Sequence, residues 1–121
     1  MVMRAIRGAT TVEHNEADII LEATEQLFKE IIEKNNLSPT DVVSVLISAT
    51  ADINACFPAA ALRRIDGCMY VPVTCMQEMD VVGALQKCIR IMVTAETTLT
   101  QQEIIHVYKE KAVQLRPDLQ N

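Results

Sequence analysis

Only one stretch of the chain, from Asn15 to about Asn35, has the spacing of a long helix, and the apolar runs around it are short and β-branched. Within that stretch Ile20, Ala23, Leu27 and Ile31 recur on one face. Acids gather early, Lys29 and Lys34 come late, as the helix dipole favours, and Asn15 is a good N-cap. Residues 2–7, VMRAIR, alternate as a strand does, with Met3, Ala5 and Arg7 on one face and Val2, Arg4 and Ile6 on the other. Ser38-Pro39 opens a turn before VVSVLISAT, 42–50, which is too short and too β-branched for a helix. Pro58 suits the first turn of a short helix, PAAALRRID, ended by Gly67. Strands are expected at YVPVT, 70–74, and CIRIMV, 88–93. Gln101 to Lys111 is ambiguous, its Gln and Glu favouring helix and its IIHVY favouring strand. The order strand, helix, strand, short helix, strand, strand predicts a mixed α/β (α+β) domain.

No linker, repeat or low-complexity segment divides the 121 residues, so a single domain over 1–121 is expected, able to bury roughly two-thirds of its unfolded surface. Half of the residues are hydrophobic but only 3% are aromatic and none is Trp, so the core must be aliphatic. A net charge of -5 argues against a non-specific nucleic-acid binder. No apolar run reaches the length of a membrane span, and MVMRAIRG lacks the apolar segment of a signal peptide. Cys56, Cys68, Cys75 and Cys88 have no CxxC spacing and are joined only by His14 and His106, so no structural metal site is expected. Free thiols suit a reducing compartment, and the expectation is a soluble cytoplasmic protein.

The stretch YVPVTCMQEMDV, 70–81, begins as a buried strand and then sets Cys75, Gln77 and Glu78 where apolar residues would be expected. Either the strand reaches the surface or it delivers polar groups into a pocket. Arg90 poses the same choice. Alternation puts Ile89, Ile91 and Val93 on one face and Arg90, Met92 and Thr94 on the other, so its guanidinium either lies in water or grips an anion. Arg7, ending the first strand, repeats the question. Arg63 and Arg64 sit near a helix C-terminus, where the dipole alone justifies them. Phe57 is a pocket wall or core, and Tyr108 offers an apolar body with a hydroxyl. Cys75 as a nucleophile would need a base, and neither histidine is near it in sequence. There is no Ser-His-Asp pattern, phosphate loop or metal-ligand cluster in the sequence.

Taken in order, IRGATTVE (6–13), SATADINACFPA (48–59), YVPVTCMQEMDV, CIRIMV and HVYKEKAVQLRPDL (106–119) resemble the AroH-class monofunctional chorismate mutases over nearly the whole chain. The resemblance implies a homotrimer built as a pseudo-α/β-barrel, a mixed β-sheet packed against one long and one short helix, with active sites in clefts between neighbours. It implies conversion of chorismate to prephenate, in phenylalanine and tyrosine biosynthesis, with no cofactor and no metal. By similarity Arg7, Arg90 and Tyr108 hold the enolpyruvyl end. Glu78 and Cys75 meet the ring hydroxyl, and Phe57, Val73, Thr74 and Leu115 shape the wall. Arg63 and Arg116 lie towards the mouth, near the ring carboxylate. Several relatives carry lysine where this chain has Ala60, a loss that Arg64 is expected to offset if it is offset at all.

A [3,3] rearrangement needs no nucleophile or proton donor. The substrate must fold into a chair-like conformer, and its C–O bond breaks ahead of C–C formation, leaving negative charge on the ether oxygen. A cation fixed at that oxygen favours the transition state over the substrate, which makes Arg90 the expected catalytic group with Glu78 and Arg7 beside it. The tail KAVQLRPDLQN, 111–121, is expected to close over the cleft. The competing readings are a non-catalytic trimeric metabolite-binding module and a purely structural interaction domain.

Overall fold

The computed structural model describes residues 1–119, apart from the Leu119 side chain. In chain order it has β1 (Val2–Thr11), α1 (Ala17–Lys34), β2 (Val42–Ala49), β3 (Val73–Gln77), β4 (Cys88–Thr97) and β5 (Val107–Tyr108). Short 3-10 helices lie at Pro39–Asp41, Pro58–Arg64, Glu110–Leu115 and Pro117–Leu119. The five strands among the described residues form a single sheet in the order β3-β2-β4-β1-β5. β4 runs antiparallel to β1 and β2, and the two edges, β3 on β2 and β5 on β1, are parallel. This is the mixed α+β architecture expected.

The helix covers one face of the sheet. Ile20, Thr24, Leu27, Phe28 and Ile31 of α1 are buried, in one core with Ile6, Val45, Ile47, Ile89, Ile91 and Val93 from the strands. Each large apolar side chain so buried contributes about 1.5–3 kcal/mol. Phe28 and Thr24 widen the expected stripe, and Ala23 lies at its margin. Thr24 is tolerated there because its hydroxyl donates to the Ile20 carbonyl at 2.8 Å.

Three boundaries differ from expectation, and one ambiguous stretch is resolved. Glu16, not Asn15, caps α1. The Asn15 side chain is engaged with the 54–55 loop instead, its oxygen accepting from the backbone N–H of Asn54 (3.0 Å) and Ala55 (3.1 Å). β3 begins at Val73 rather than at Tyr70, because Pro72 has no N–H to give a ladder; only its carbonyl is used, accepting from Val45 N–H at 2.9 Å. The short helix is 3-10 and stops at Arg64, with Gly67 (φ 84°) two residues past its Ile65 cap. The ambiguous 101–111 stretch divides into a turn, the two-residue β5 and the start of a 3-10 helix.

β1 also runs past Gly8 to Thr11, pairing residue by residue with β4, which itself extends to Thr97. Gly8 is there for closeness, not for backbone freedom. A Cβ at that position would stand 2.7 Å from Ile31 Cδ1, 3.0 Å from Ile91 Cγ2 and 3.2 Å from Leu27 Cδ1. All three residues are buried, so the helix rests on the strand where a side chain is missing. Gly8→Ala should therefore destabilise the fold by about 1–3 kcal/mol through overpacking, seen as a lower denaturant midpoint with unchanged slope.

The other face of the sheet is open. It carries Met3, Ala5, Leu46, Met76 and Met92, all exposed, among polar residues.

Candidate active site

Strand register assembles a row of side chains across that open face. Ser48 of β2 pairs with Met76 of β3 on one side and with Arg90 of β4 on the other. Ala9 of β1 pairs with Arg90 and with Tyr108 of β5. The row therefore reads Met76, Ser48, Arg90, Ala9, Tyr108, with Arg7 opposite Met92 one step along. Ala9 is the small member, and the space above it separates Arg90 from Tyr108. Together with Glu78, which follows β3, these residues line a cavity of about 220 Å³.

Glu78 is held from three sides. Its Oε2 accepts from Ser48 Oγ at 2.9 Å and lies 3.4 Å from Arg90 Nε, while Oε1 accepts from Met79 N–H at 3.2 Å. The Arg90 and Glu78 side chains are 48% and 29% exposed, so their ion pair is screened and adds little to stability. It orients both groups. Cys88, two residues before Arg90 on the same face of β4, is buried with Ala9 beneath Ala112 of the Glu110–Leu115 helix. Burial pushes its thiol pKa up, against the opposing pull of the Arg90 guanidinium, so the thiol stays neutral beside that cation.

Four other expected residues gather elsewhere. Phe57, Arg63, Val73 and Cys75 line a separate hollow of about 540 Å³, with Ala60 in its wall. Cys75 Sγ accepts from Ala59 N–H at 3.3 Å, tying β3 to the Pro58–Arg64 helix. By strand alternation Cys75 and Glu78 leave the chain on opposite sides, so within one subunit they do not converge on one hydroxyl. Thr74, paired with Leu46, is exposed on the open face and lines neither space. Leu115 packs near Ala9, Cys88 and Ala112, beside Lys111 and Gln86. Arg116 donates to Asp118 from Nε (3.1 Å) and Nη2 (2.8 Å). Arg64 is 3.2 Å from Glu25 of α1, so within one subunit its guanidinium is paired with the helix. Gln120 and Asn121, at the end of the expected closing tail, lie outside the described residues.

Sequence reasoning missed two residues. Ser48 could have been found, because it alternates with Leu46 on the open face. His106 had no such signal, since it precedes a strand of two residues. Its Nδ1 accepts from Arg7 N–H at 2.9 Å. Burial lowers its pKa, helped by the cations of Arg7 and Arg116. A histidine held neutral by the fold stabilises it fully above its unfolded pKa, about 6.5, and loses that contribution as pH falls through the lower folded value. The thermal midpoint should accordingly drop more between about pH 7 and pH 5 in the wild type than in His106→Asn, which has no ring to protonate.

The arrangement is a set of fixed cations and one oriented carboxylate on the floor of a sheet, suited to a small anionic ligand and lacking a nucleophile–base pair. Comparisons with known proteins narrow that class. The family model described as chorismate mutase type I matches residues 3–119. The chorismate mutase AroH of Bacillus subtilis (strain 168) is 58% identical over 119 residues, covering 98% of this chain and 94% of that protein. That of Thermus thermophilus is 37% identical over 121 residues, covering 99% and 98%. A solved chorismate mutase from Clostridium thermocellum superposes with a TM-score of 0.87 at 45% identity, covering 90% of this chain and 96% of that one. The chain belongs to the type I chorismate mutase family.

Proposed function

We infer that the protein is a chorismate mutase, an isomerase acting in aromatic amino acid biosynthesis, and that the cavity on the open sheet face is where chorismate rearranges to prephenate. The convergence of Arg7, Arg90, Glu78 and Tyr108 from four separate segments on one cavity carries this reading. Arg90 meets the ether oxygen as it gains charge, while Arg7 and Tyr108 grip the enolpyruvyl carboxylate. Because these donors are fixed by strand register before substrate arrives, little reorganisation accompanies the charge shift. Holding the chair-like conformer supplies the rest of the acceleration. Glu78 receives the ring hydroxyl and favours the positive charge that develops on the ring.

The second hollow completes the site from a neighbouring subunit. If Cys75 and Glu78 both meet the ring hydroxyl, they must come from different chains. The exposed Leu46, Met76 and Met92 beside the cavity support burial of this face in an assembly. In that homotrimer Phe57 and Val73 of one subunit, with Leu115, wall the substrate in, and Arg63 and Arg116 draw its outer carboxylate. The C-terminal tail closes over the mouth. The free thiols fit work in the cytoplasm, and among the described residues no helix is long and apolar enough to cross a membrane.

Following the ultraviolet absorbance of chorismate on adding purified protein tests the reading. Loss of signal with formation of prephenate supports it, whereas binding without turnover would make the protein a metabolite-binding module. Since the proposed rearrangement breaks and makes bonds only within the substrate, with no covalent enzyme intermediate and no role for a metal, a chelator should leave turnover intact. Cys75→Ser should stay within about tenfold of wild type in kcat/KM, because a hydroxyl keeps both donor and acceptor capacity. Abolition of turnover by either treatment would contradict the proposed chemistry.

A further inference from the structure

β5 is only two residues long, yet Arg7 and Tyr108 depend on how it lies against β1. In a parallel ladder the bonds recur every second residue, and the Lys109 N–H donates to the Ala9 carbonyl at 2.9 Å. Continued backwards, that pattern would bring the Ile105 carbonyl to the Arg7 N–H. Ile105 is turned away from it. Its carbonyl accepts from Asn35 Nδ2 at 2.9 Å, and its N–H donates to Asn35 Oδ1 at 2.8 Å, so the buried amide at the end of α1 takes both backbone groups. The Arg7 N–H is left to a side chain, the His106 ring, whose Nδ1 accepts it at 2.9 Å.

We propose that His106 is a positioning residue: its neutral ring supplies the missing ladder bond between β1 and β5 and so fixes the relative placement of Arg7 and Tyr108. The proposal rests on reading Arg7 and Tyr108 as substrate-gripping groups. For Nδ1 to accept, the ring must be neutral with its proton on Nε2. The charged groups facing it are Arg7 of β1 and Arg116, between the last two 3-10 helices, the latter paired with Asp118. On the α1 side the backing group is the uncharged Asn35, with the Glu30–Lys109 pair (3.1 Å) holding the next residue of the β5 segment to the helix. Burial and both facing cations favour the neutral form that the bond requires. Protonation would oppose a ring N–H to the Arg7 N–H and push the edge strand away.

The test compares His106→Asn, His106→Gln and His106→Leu. The Asn side-chain oxygen can occupy the position of Nδ1, whereas the Gln amide reaches the position of Nε2. His106→Asn should keep most of the wild-type kcat/KM, and His106→Gln and His106→Leu should lose about tenfold, the effect of one hydrogen bond. If the Leu variant fails to fold, the Asn and Gln variants decide the matter. The kcat/KM profile of wild type, which reports the free enzyme, should fall on acidification below the ordinary histidine pKa, and that limb should be absent from His106→Asn. The Arg7 amide should exchange with solvent faster in His106→Gln than in His106→Asn. Equal kcat/KM in all three variants, or an unchanged acid limb in His106→Asn, overturns the role. Arg7→Ala separates the two levels of inference. Full activity in that variant would overturn the reading of Arg7 itself, while a fall there with three equal His106 variants overturns the positioning role alone.

Discussion

Replacing Arg90 by its neutral isostere citrulline should cost on the order of 3 kcal/mol or more in kcat/KM, comparable to losing an oxyanion donor. The shape, the planar fork and most hydrogen-bond donors survive that change; the fixed charge does not. The loss should fall on kcat as well as on kcat/KM, because the ether oxygen carries far less charge in bound chorismate than in the transition state. Lysine should restore only part, since an ammonium lacks the fork and is more strongly hydrated. Stability should barely move. The Arg90–Glu78 pair is half in water, and screened pairs contribute about 1 kcal/mol at most. An unchanged melting temperature with collapsed turnover therefore distinguishes catalysis from structural damage. Near wild-type turnover in the citrulline protein would remove Arg90 from the mechanism.

The second large effect is a rescue. Arg90→Ala and Phe57→Asp should each be nearly inactive, the first for want of the cation and the second because a carboxylate would meet a dianionic substrate. Unfolded together in equal amounts and refolded, they should recover about a quarter of the wild-type activity, provided each site takes its Arg90 side from one subunit and its Phe57 side from the next. The figure follows from random assortment, since only the interface with both intact sides works. The cavity at Arg90 and the hollow at Phe57 are separately lined within one chain, which is the physical basis of the expectation. A mixture that stays dead, or sedimentation of a fully active monomer, would refute the shared site.

Alternation made much of this legible before any coordinates. The two-residue period placed Ile89, Ile91 and Val93 against Arg90 and Met92 correctly, and Met3, Ala5 and Arg7 together on the face that proved open. What alternation cannot supply is register between strands. Nothing in the local sequence says that Ser48 stands beside Arg90 or that Ala9 opens the space above it. Local rules failed where a distant partner claimed the group. Asn15 had the chemistry of a cap but was engaged by residues 54 and 55. The first strand was read as ending at Arg7, because the use of Gly8, admitting Ile31, depends on a helix packed across it. Arg64, open to service at the mouth, is paired within one subunit with Glu25. The division between cavity and hollow was legible only through resemblance, because it depends on which side of β3 each residue leaves.

The central strand of the sheet has a consequence for the order in which the protein comes into being. β4 lies between β1 and β2, so the row that passes through Arg90 is set in part by pairings spanning residues 2–11 with 88–97. On the ribosome, the first ten residues must wait for most of the chain to emerge before their partner exists. Until then Arg7 has no opposite strand and the α1 stripe no complete surface to cover. Contacts so distant in sequence are slow to close. A nascent or truncated chain ending before β4 therefore has only the Ser48, Met76 and Glu78 side of the pocket, without Arg90 and with Arg7 unplaced, so helix formation can precede catalytic competence but cannot signal it.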